Sequence, residues 1–510
     1  MTLVRIRATI GHWLGRYPMR TLMLLGQVST VMACQQTTSL PEGLDYAGPL
    51  RATPEIHLLT DDTWIDEHGK RRVQQQIFDA VFAMVQSARR FVLLDMFLFN
   101  DFQGQPPEQT RALSSELVEV LLAQRARVPK MPIVVITDPV NTVYGGLPSS
   151  QFATLQAHDI TVVITDLDLL PDSNPCYSWL WRRLIKPLGN ARADTLPNPF
   201  GDGRVSVRSW LRLLNFKANH RKVVIADRGD QLVGLVTSAN PHDGSSAHRN
   251  SAIQFQGPAV LDLWHTEKAV LDFSNAKSAA DALNVAINGV SALHRPNQTA
   301  AVTTTQGVDT PTISAPYQLQ VLTEGAIKFA LLKLLASVGN GDQVDLMVFY
   351  LSDRELITQL VRARQRGAQI RVLLDPNKDA FGMQKNGIPN RPVAAELTRA
   401  GVEVRWCDTH GEQCHSKLAL IRPHTGPATL LTGSANLTRR NLDNFNLETD
   451  ILVSGSGQSP LFRKAAGEFS TYWHNHHGKH FTVPYHQYAA PSPLKYWLYR
   501  LQEASGLSTF

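Results

Sequence analysis

Apolar positions run through one succession twice along this chain. Residues 76–85 place apolar side chains three and four positions apart, which predicts an amphipathic helix, and residues 91–97 follow as a short apolar run of strand character. Residues 326–335 and 344–350 repeat that pair. A second helix (113–127 and 353–365), a buried strand ending in Asp-Pro (133–138 and 370–375) and a further strand (160–164 and 402–406) come next in both halves. Helices at 261–273 and 461–473 close the two units. The same order of elements twice over predicts a duplicated α/β fold, one unit over 34–275 and the other over 317–510. Between them, 276–316 is rich in Ala, Thr, Ser, Gln and Pro and is expected to be a linker with one short helix. A chain of 510 residues has the length for two cores of ordinary domain size.

Candidate chemistry stands at one place in each unit, just before the closing helix. The first half reads Asn219-His220-Arg221-Lys222, then Thr237-Ser238-Ala239-Asn240; the second reads Cys414-His415-Ser416-Lys417, then Gly433-Ser434-Ala435-Asn436. On an alternating strand, residues two apart share a face, so His220 with Lys222 and His415 with Lys417 each enter one pocket. A single His-x-Lys carries little information. Two copies, each with its own Ser-Ala-Asn, are hard to reach by chance. The residue types suit a phosphodiester, whose anionic oxygens repel nucleophiles and need ammonium, amide and hydroxyl donors around them. One imidazole can then attack while neutral, and a second can donate a proton while charged.

These residues resemble the phospholipase D superfamily, whose signature is His-x-Lys, four residues, Asp, followed by Gly-Ser-x-Asn, present twice in its monomeric members. The resemblance implies two similar α-β-α domains packed around one shared active site in a monomer. It implies no metal and no cofactor, and a covalent phosphohistidine intermediate. The implied catalytic set is His220, Lys222, Asp227, His415, Lys417 and Glu448, with Ser238, Asn240, Ser434 and Asn436 binding the phosphate. By resemblance the Asp is mainly structural, and Arg422 stands where the second motif has one. The family also places an acid downstream of Ser-x-Asn: Glu448 fits, whereas Asn250-Ser251-Ala252 has none, leaving Asp243 as the substitute. Thr237 replaces the usual Gly. On this pattern Glu448 would orient His220 as nucleophile, and His415 would be the general acid. The implied function is hydrolysis of a phospholipid or phosphatidyl transfer as in cardiolipin synthases. A nuclease of the same superfamily and an inactive headgroup-binding lipoprotein are the alternatives.

Charge narrows this further. A net charge of +6 on a chain that is 18% charged, without a long Lys/Arg run, gives no support to a nucleic-acid partner. The stretch from Asp138 to His220 is about twice as long as that from Asp375 to His415, so the first half carries an insertion. Within it, 177–186 and 207–214 mix Trp, Arg and Leu, which suits a membrane interface or packing over the domain seam. Residues 494–501 pose the same choice, with packing favoured.

Four cysteines exclude a disulfide-dense scaffold. Cys407 and Cys414 bracket the approach to His415 and suit a bridge in an oxidising compartment, while a zinc site with His410 and His415 matches no common spacing. Near the start, Arg16 and Arg20 precede a short apolar run ending in Val31-Met32-Ala33-Cys34, the layout of a bacterial lipoprotein signal peptide over 1–33. A buried N-terminal helix is the other reading. On the lipoprotein reading Cys34 is acylated, and Gln35 favours the periplasmic face of the outer membrane.

Overall fold

A computed structural model describes residues 39–104, 111–188, 194–293, 316–380 and 383–508. The signal-peptide reading, Cys34 included, lies outside the described residues.

Two mixed sheets carry the molecule. The first runs, edge to edge, through Arg71–Gln74, Ile56–Ile65, Asn250–Gln256, Gln231–Thr237, Lys222–Arg228, Val92–Met96, Ile133–Thr137 and Thr161–Ile164. The second runs through Arg51–Thr53, Tyr317–Thr323, Thr449–Gly455, Ala428–Gly433, Lys417–Arg422, Gln343–Val348, Gln369–Leu374, Glu403–Cys407 and Thr482–Pro484. The strand order around the motifs is the same in both. In each sheet the motif strand lies antiparallel to the first predicted strand, with Lys222 opposite Met96 and Lys417 opposite Val348. Strands joined by the predicted helices are parallel, as crossover connections require. Val92–Met96, Ile133–Thr137 and their counterparts are almost wholly buried, which is why they read as continuous apolar runs instead of alternating ones.

The halves interlock. Arg51–Thr53, from the first half, forms the edge of the second sheet by pairing with Tyr317–Thr323. One hydrophobic core draws on both units, joining Val223, Ile253 and Leu263 to Leu420, Leu430 and Val453. Each half adds a core of its own beneath its outer helices. Within the span read as a linker, Lys277–Leu293 forms a 17-residue helix that buries Ala280, Leu283, Ile287 and Val290 in the shared core. Its Ala, Ser and Asn content disguised an apolar stripe at helical spacing. Cys407 and Cys414 are bridged, and the bridge packs with Phe469, Trp473 and Phe481. Among the described residues, no helix is long and apolar enough to cross a membrane.

Candidate active site

Both motif histidines stand immediately before their strands and are fixed by the opposite half. The His220 N–H donates to the Leu447 carbonyl at 2.9 Å, and the His415 N–H to the Arg249 carbonyl at 2.8 Å. The residue after each acceptor then meets the imidazole. His220 Nδ1 lies 2.9 Å from Oε1 and 3.0 Å from Oε2 of Glu448. His415 Nδ1 lies 3.1 Å from the Ser238 carbonyl and 3.2 Å from Asn250 Oδ1. A donating Nδ1–H leaves Nε2 as the free nitrogen on both rings.

Asn250 is thus the counterpart of Glu448. Ser434 Oγ donates to Glu448 and accepts the Thr449 N–H; Ser238 Oγ donates to Asn250 Oδ1 and accepts the Ser251 N–H. The two hydroxyls read as phosphate ligands therefore hold the residues that orient the imidazoles. Asp243, read as the substitute acid, instead accepts the Ser114 N–H at 2.9 Å, at the start of the helix Leu113–Arg127. Asn250 stands twelve residues after Ser238, whereas Glu448 stands fourteen after Ser434, so matching by spacing pointed to Ala252, and an acid was sought where an amide serves.

The lysines are fully enclosed. Lys222 Nζ donates to the His220 carbonyl at 2.6 Å and Lys417 Nζ to the His415 carbonyl at 2.7 Å. Phe97 and Phe349 wall the pair, each with its motif Lys at 5.0 and 5.5 Å and its motif His ring at 4.7 and 5.1 Å. Burial lowers Lys222 to about 7, against the pull of Glu448, and lowers Lys417, with Lys222 adding to the effect. Burial also lowers both histidines, and the two ammonium groups push the same way. Glu448 is raised to about 7 by burial, opposed by Lys222. Burial thus loosens the protons of the lysines and histidines and tightens that of Glu448, and an anionic ligand between the lysines would restore their proton affinity.

Asn240 and Asn436 line the same cavity as the histidines. Asn240 Oδ1 accepts the Leu98 N–H at 3.2 Å, which leaves the amide nitrogen as its donor. The Asp-Pro aspartates have matching posts that sequence left unassigned. Asp138 accepts the Asn219 N–H at 2.7 Å and Asp375 the Cys414 N–H at 2.8 Å, each fixing the residue before a motif His. Asn441 adds an N–H to Glu448.

Asp227, grouped with the catalytic residues from sequence, stands at the far end of its strand. Its carboxylate accepts the N–H groups of Arg89, Arg90 and Phe91 at 2.9 to 3.1 Å, pinning the turn into the strand Val92–Met96. Arg422 in the other half bonds Asp345 at 2.7 Å on the neighbouring strand. Asp345 also holds Arg371, so position 422 carries a paired cation where the first half has a carboxylate, away from the cavity.

That cavity has a volume of about 360 Å³ and a lining dominated by Phe97, Phe102, Tyr144, Phe200, Phe216 and Phe349. Among the described residues, no group of three or more His, Cys, Asp or Glu is placed to hold a metal ion.

The geometry brings two His-Lys pairs, one from each half, to a single cavity. Residues 331–473 match the family model "Cardiolipin synthase, PLD-like domain". The phosphatidylserine synthase of Haemophilus influenzae Rd KW20 has a similar fold: TM-score 0.52 at 10% identity, covering 90% of this chain and 96% of that one. The polyphosphate kinase of Porphyromonas gingivalis follows at TM-score 0.43 and 11% identity, covering 89% and 54%. Nuc of Salmonella typhimurium, a phospholipase D family member, follows at 0.26 and 17%, covering 32% and 97%. Those two scores are too low to add to the fold assignment. No curated protein matches the chain. The second half therefore carries a PLD-like domain of the cardiolipin synthase type, and the chain as a whole shares the fold of the phosphatidylserine synthase.

Proposed function

We propose that this protein cleaves phospholipid phosphodiesters through a phosphohistidine, releasing the phosphatidyl group to water or to an alcohol. His220 Nε2 attacks phosphorus, the bond to the leaving alcohol breaks, and His415 gives that oxygen its proton. An incoming alcohol or water then loses its proton to His415, attacks phosphorus and breaks the P–N bond. Lys222, Lys417, Asn240 and Asn436 surround the phosphoryl oxygens. The observation that carries this reading is the cavity: two imidazoles from opposite halves stand in a pocket that also presents Phe97, Phe102, Tyr144, Phe200, Phe216 and Phe349, apolar surface for the body of a lipid diester, beside the cations Lys217, Lys385 and Arg440.

Incubation of purified protein with mixed phospholipids, with and without glycerol, followed by mass spectrometry, tests the proposal. Phosphatidic acid without glycerol, or phosphatidylglycerol with it, is the expected product. Hydrolysis of DNA with no lipid product would make it a nuclease. No turnover of any phosphodiester would leave a headgroup-binding protein.

We further propose that the enzyme works at the bacterial cell envelope, tethered through an acylated Cys34. The support is the basic flank, short apolar run and Ala33-Cys34 junction. The Cys34→Ser variant should then stay unacylated and keep residues 1–33, read by intact mass and migration; mass and migration like wild type would contradict the tether.

A further inference from the structure

Three segments next to the cavity leave apolar side chains in water. Ten of the eighteen exposed large apolar side chains among the described residues fall within 176–188, 204–217 and 493–501. Such clustering, unlike scattered exposure, marks a surface made for contact. Helix Pro493–Ser505 displays it most clearly. Leu494, Trp497, Leu498 and Leu501, at spacings of three, four and seven, are 79%, 67%, 39% and 65% exposed. The opposite face is docked, with Tyr499 bonded to Arg354 at 2.8 Å and Glu503 to Ser352 at 2.7 Å. The helix is held in place with its apolar stripe outward.

The insertion presents a second patch. Leu184 is 60% and Leu188 83% exposed, with Trp179 beside them, while Tyr177 bonds the Leu211 carbonyl and Arg208 stacks on Trp181 at 5.1 Å. Segments 176–188 and 204–217 are therefore one packed unit. It meets the C-terminal helix where Gly506 lies against Ser173. The insertion borders the active-site cavity through Leu213, Phe216 and Lys217, and Arg440, which also lines it, stacks on Phe216 at 4.8 Å and donates to the carbonyl of Ser508, just beyond the C-terminal helix.

Charge identifies the partner. The three segments hold nine Lys or Arg and no Asp or Glu. Removing those nine from the chain's 50 leaves 41 basic against 44 acidic residues, so the remainder is net acidic. Arg182 and Lys217 are paired with Asp172 and Lys186 with Asp168, which leaves Arg183, Arg204, Arg208, Arg212, Lys495 and Arg500 beside the exposed aromatic and aliphatic side chains, the composition of an interfacial surface on an anionic bilayer, where Trp sits at headgroup depth. A protein partner of equal charge complementarity would not need this surface to open onto a cavity for phosphodiesters. We infer that the insertion and the C-terminal helix form one docking surface for the anionic phospholipid bilayer, setting the cavity mouth at the headgroups. The inference rests on the phospholipid reading of the site for its choice of bilayer over protein.

The test uses the full chain carrying Cys34→Ser, so that no acyl anchor masks the contact. Its binding is measured by flotation with vesicles of phosphatidylcholine alone or mixed with phosphatidylglycerol, and its turnover on soluble bis-p-nitrophenyl phosphate. The exposed positions permit substitution without disturbing the core. Leu184→Ser with Leu188→Ser, and separately Leu494→Ser with Trp497→Ser, should each weaken binding to the mixed vesicles about ten-fold or more, since each pair removes two apolar side chains from the contact. Arg183→Gln should weaken it about five-fold. Turnover of the soluble diester should stay at the parent rate in all three. Vesicle binding unchanged in both patch variants would overturn the surface, as would a dimer in sedimentation velocity that both variants abolish. Lipid turnover with patch-independent binding would leave the phospholipid reading standing alone. Patch-dependent vesicle binding without turnover of any diester would sink that reading and keep the surface.

Discussion

His220 and His415 reach the cavity by one route and arrive in different company. Each donates its N–H across the seam, each is followed by a buried Lys bonded to its carbonyl, and each packs beside a Phe from the adjacent strand. Glu448 then faces the first imidazole, whereas Asn250 faces the second. A carboxylate stabilises the positive charge that the ring acquires when its nitrogen bonds phosphorus, and an amide oxygen fixes the tautomer without that stabilisation. Duplication thus supplied two equivalent scaffolds, and one side chain separates their tasks. His220 is suited to carry the phosphoryl group. His415 is suited to take up a proton only when an anionic diester sits between the two lysines and to hand it to the leaving alcohol.

Breaking the nucleophilic side should cost most. His220→Asn is expected to reduce lipid turnover on the order of 10,000-fold or more, because the proposed intermediate forms on His220. His415→Asn should cost on the order of 100- to 10,000-fold with alkyl leaving groups and far less with p-nitrophenyl esters, which leave without protonation. Equal losses on both substrates would remove the acid role from His415.

Exchanging the orienting residues sharpens the comparison. Glu448→Gln removes the charge and keeps the acceptor, and should lower kcat about 10- to 100-fold. Asn250→Asp should instead raise the proton affinity of His415, which burial now holds below the ordinary range. Since the acid form would persist to higher pH, the basic limb of kcat/KM should move upward by about one unit. A downward or unmoved limb would contradict the pairing of Asn250 with the acid.

The remaining contrast between the halves is structural. Asp227→Asn removes a charge that gathers three backbone N–H groups and should lower stability by about 2 kcal/mol, read from denaturant melts, with kcat of the folded enzyme nearly intact. Chelation should change nothing: the ammonium groups of Lys222 and Lys417 stand where a metal enzyme would place cations. Loss of turnover in EDTA that one added metal restores would overturn that expectation.

Much of this was legible from residue patterns, for reasons that also explain what was not. The repeated helix and strand signals fell within a few residues of the observed elements, because buried parallel strands and amphipathic helices write their environment directly into apolar spacing. Both His-Lys pairs and Glu448 were visible because their chemistry depends on local spacing. Asn250 was passed over because hydrogen-bond geometry, which makes an amide equivalent to an acid at Nδ1, has no signature in one sequence. The hydroxyls of Ser238 and Ser434 were misplaced for a similar reason: a strand pattern gives the face of a residue and not its partner. The helix Lys277–Leu293 hid behind a composition typical of linkers, since its burial depends on two units meeting. The partner of Arg422, Asp345, lies across a strand pair and could not be read from linear spacing.

Trapping the intermediate tests the division of labour most directly. Rapid acid-free quenching of the wild-type enzyme with a p-nitrophenyl phosphodiester, followed by peptide mapping, should place the phosphoryl group on the peptide containing His220, retained in His415→Asn and absent from His220→Asn. An adduct on His415 that persists in His220→Asn would reverse the assignment.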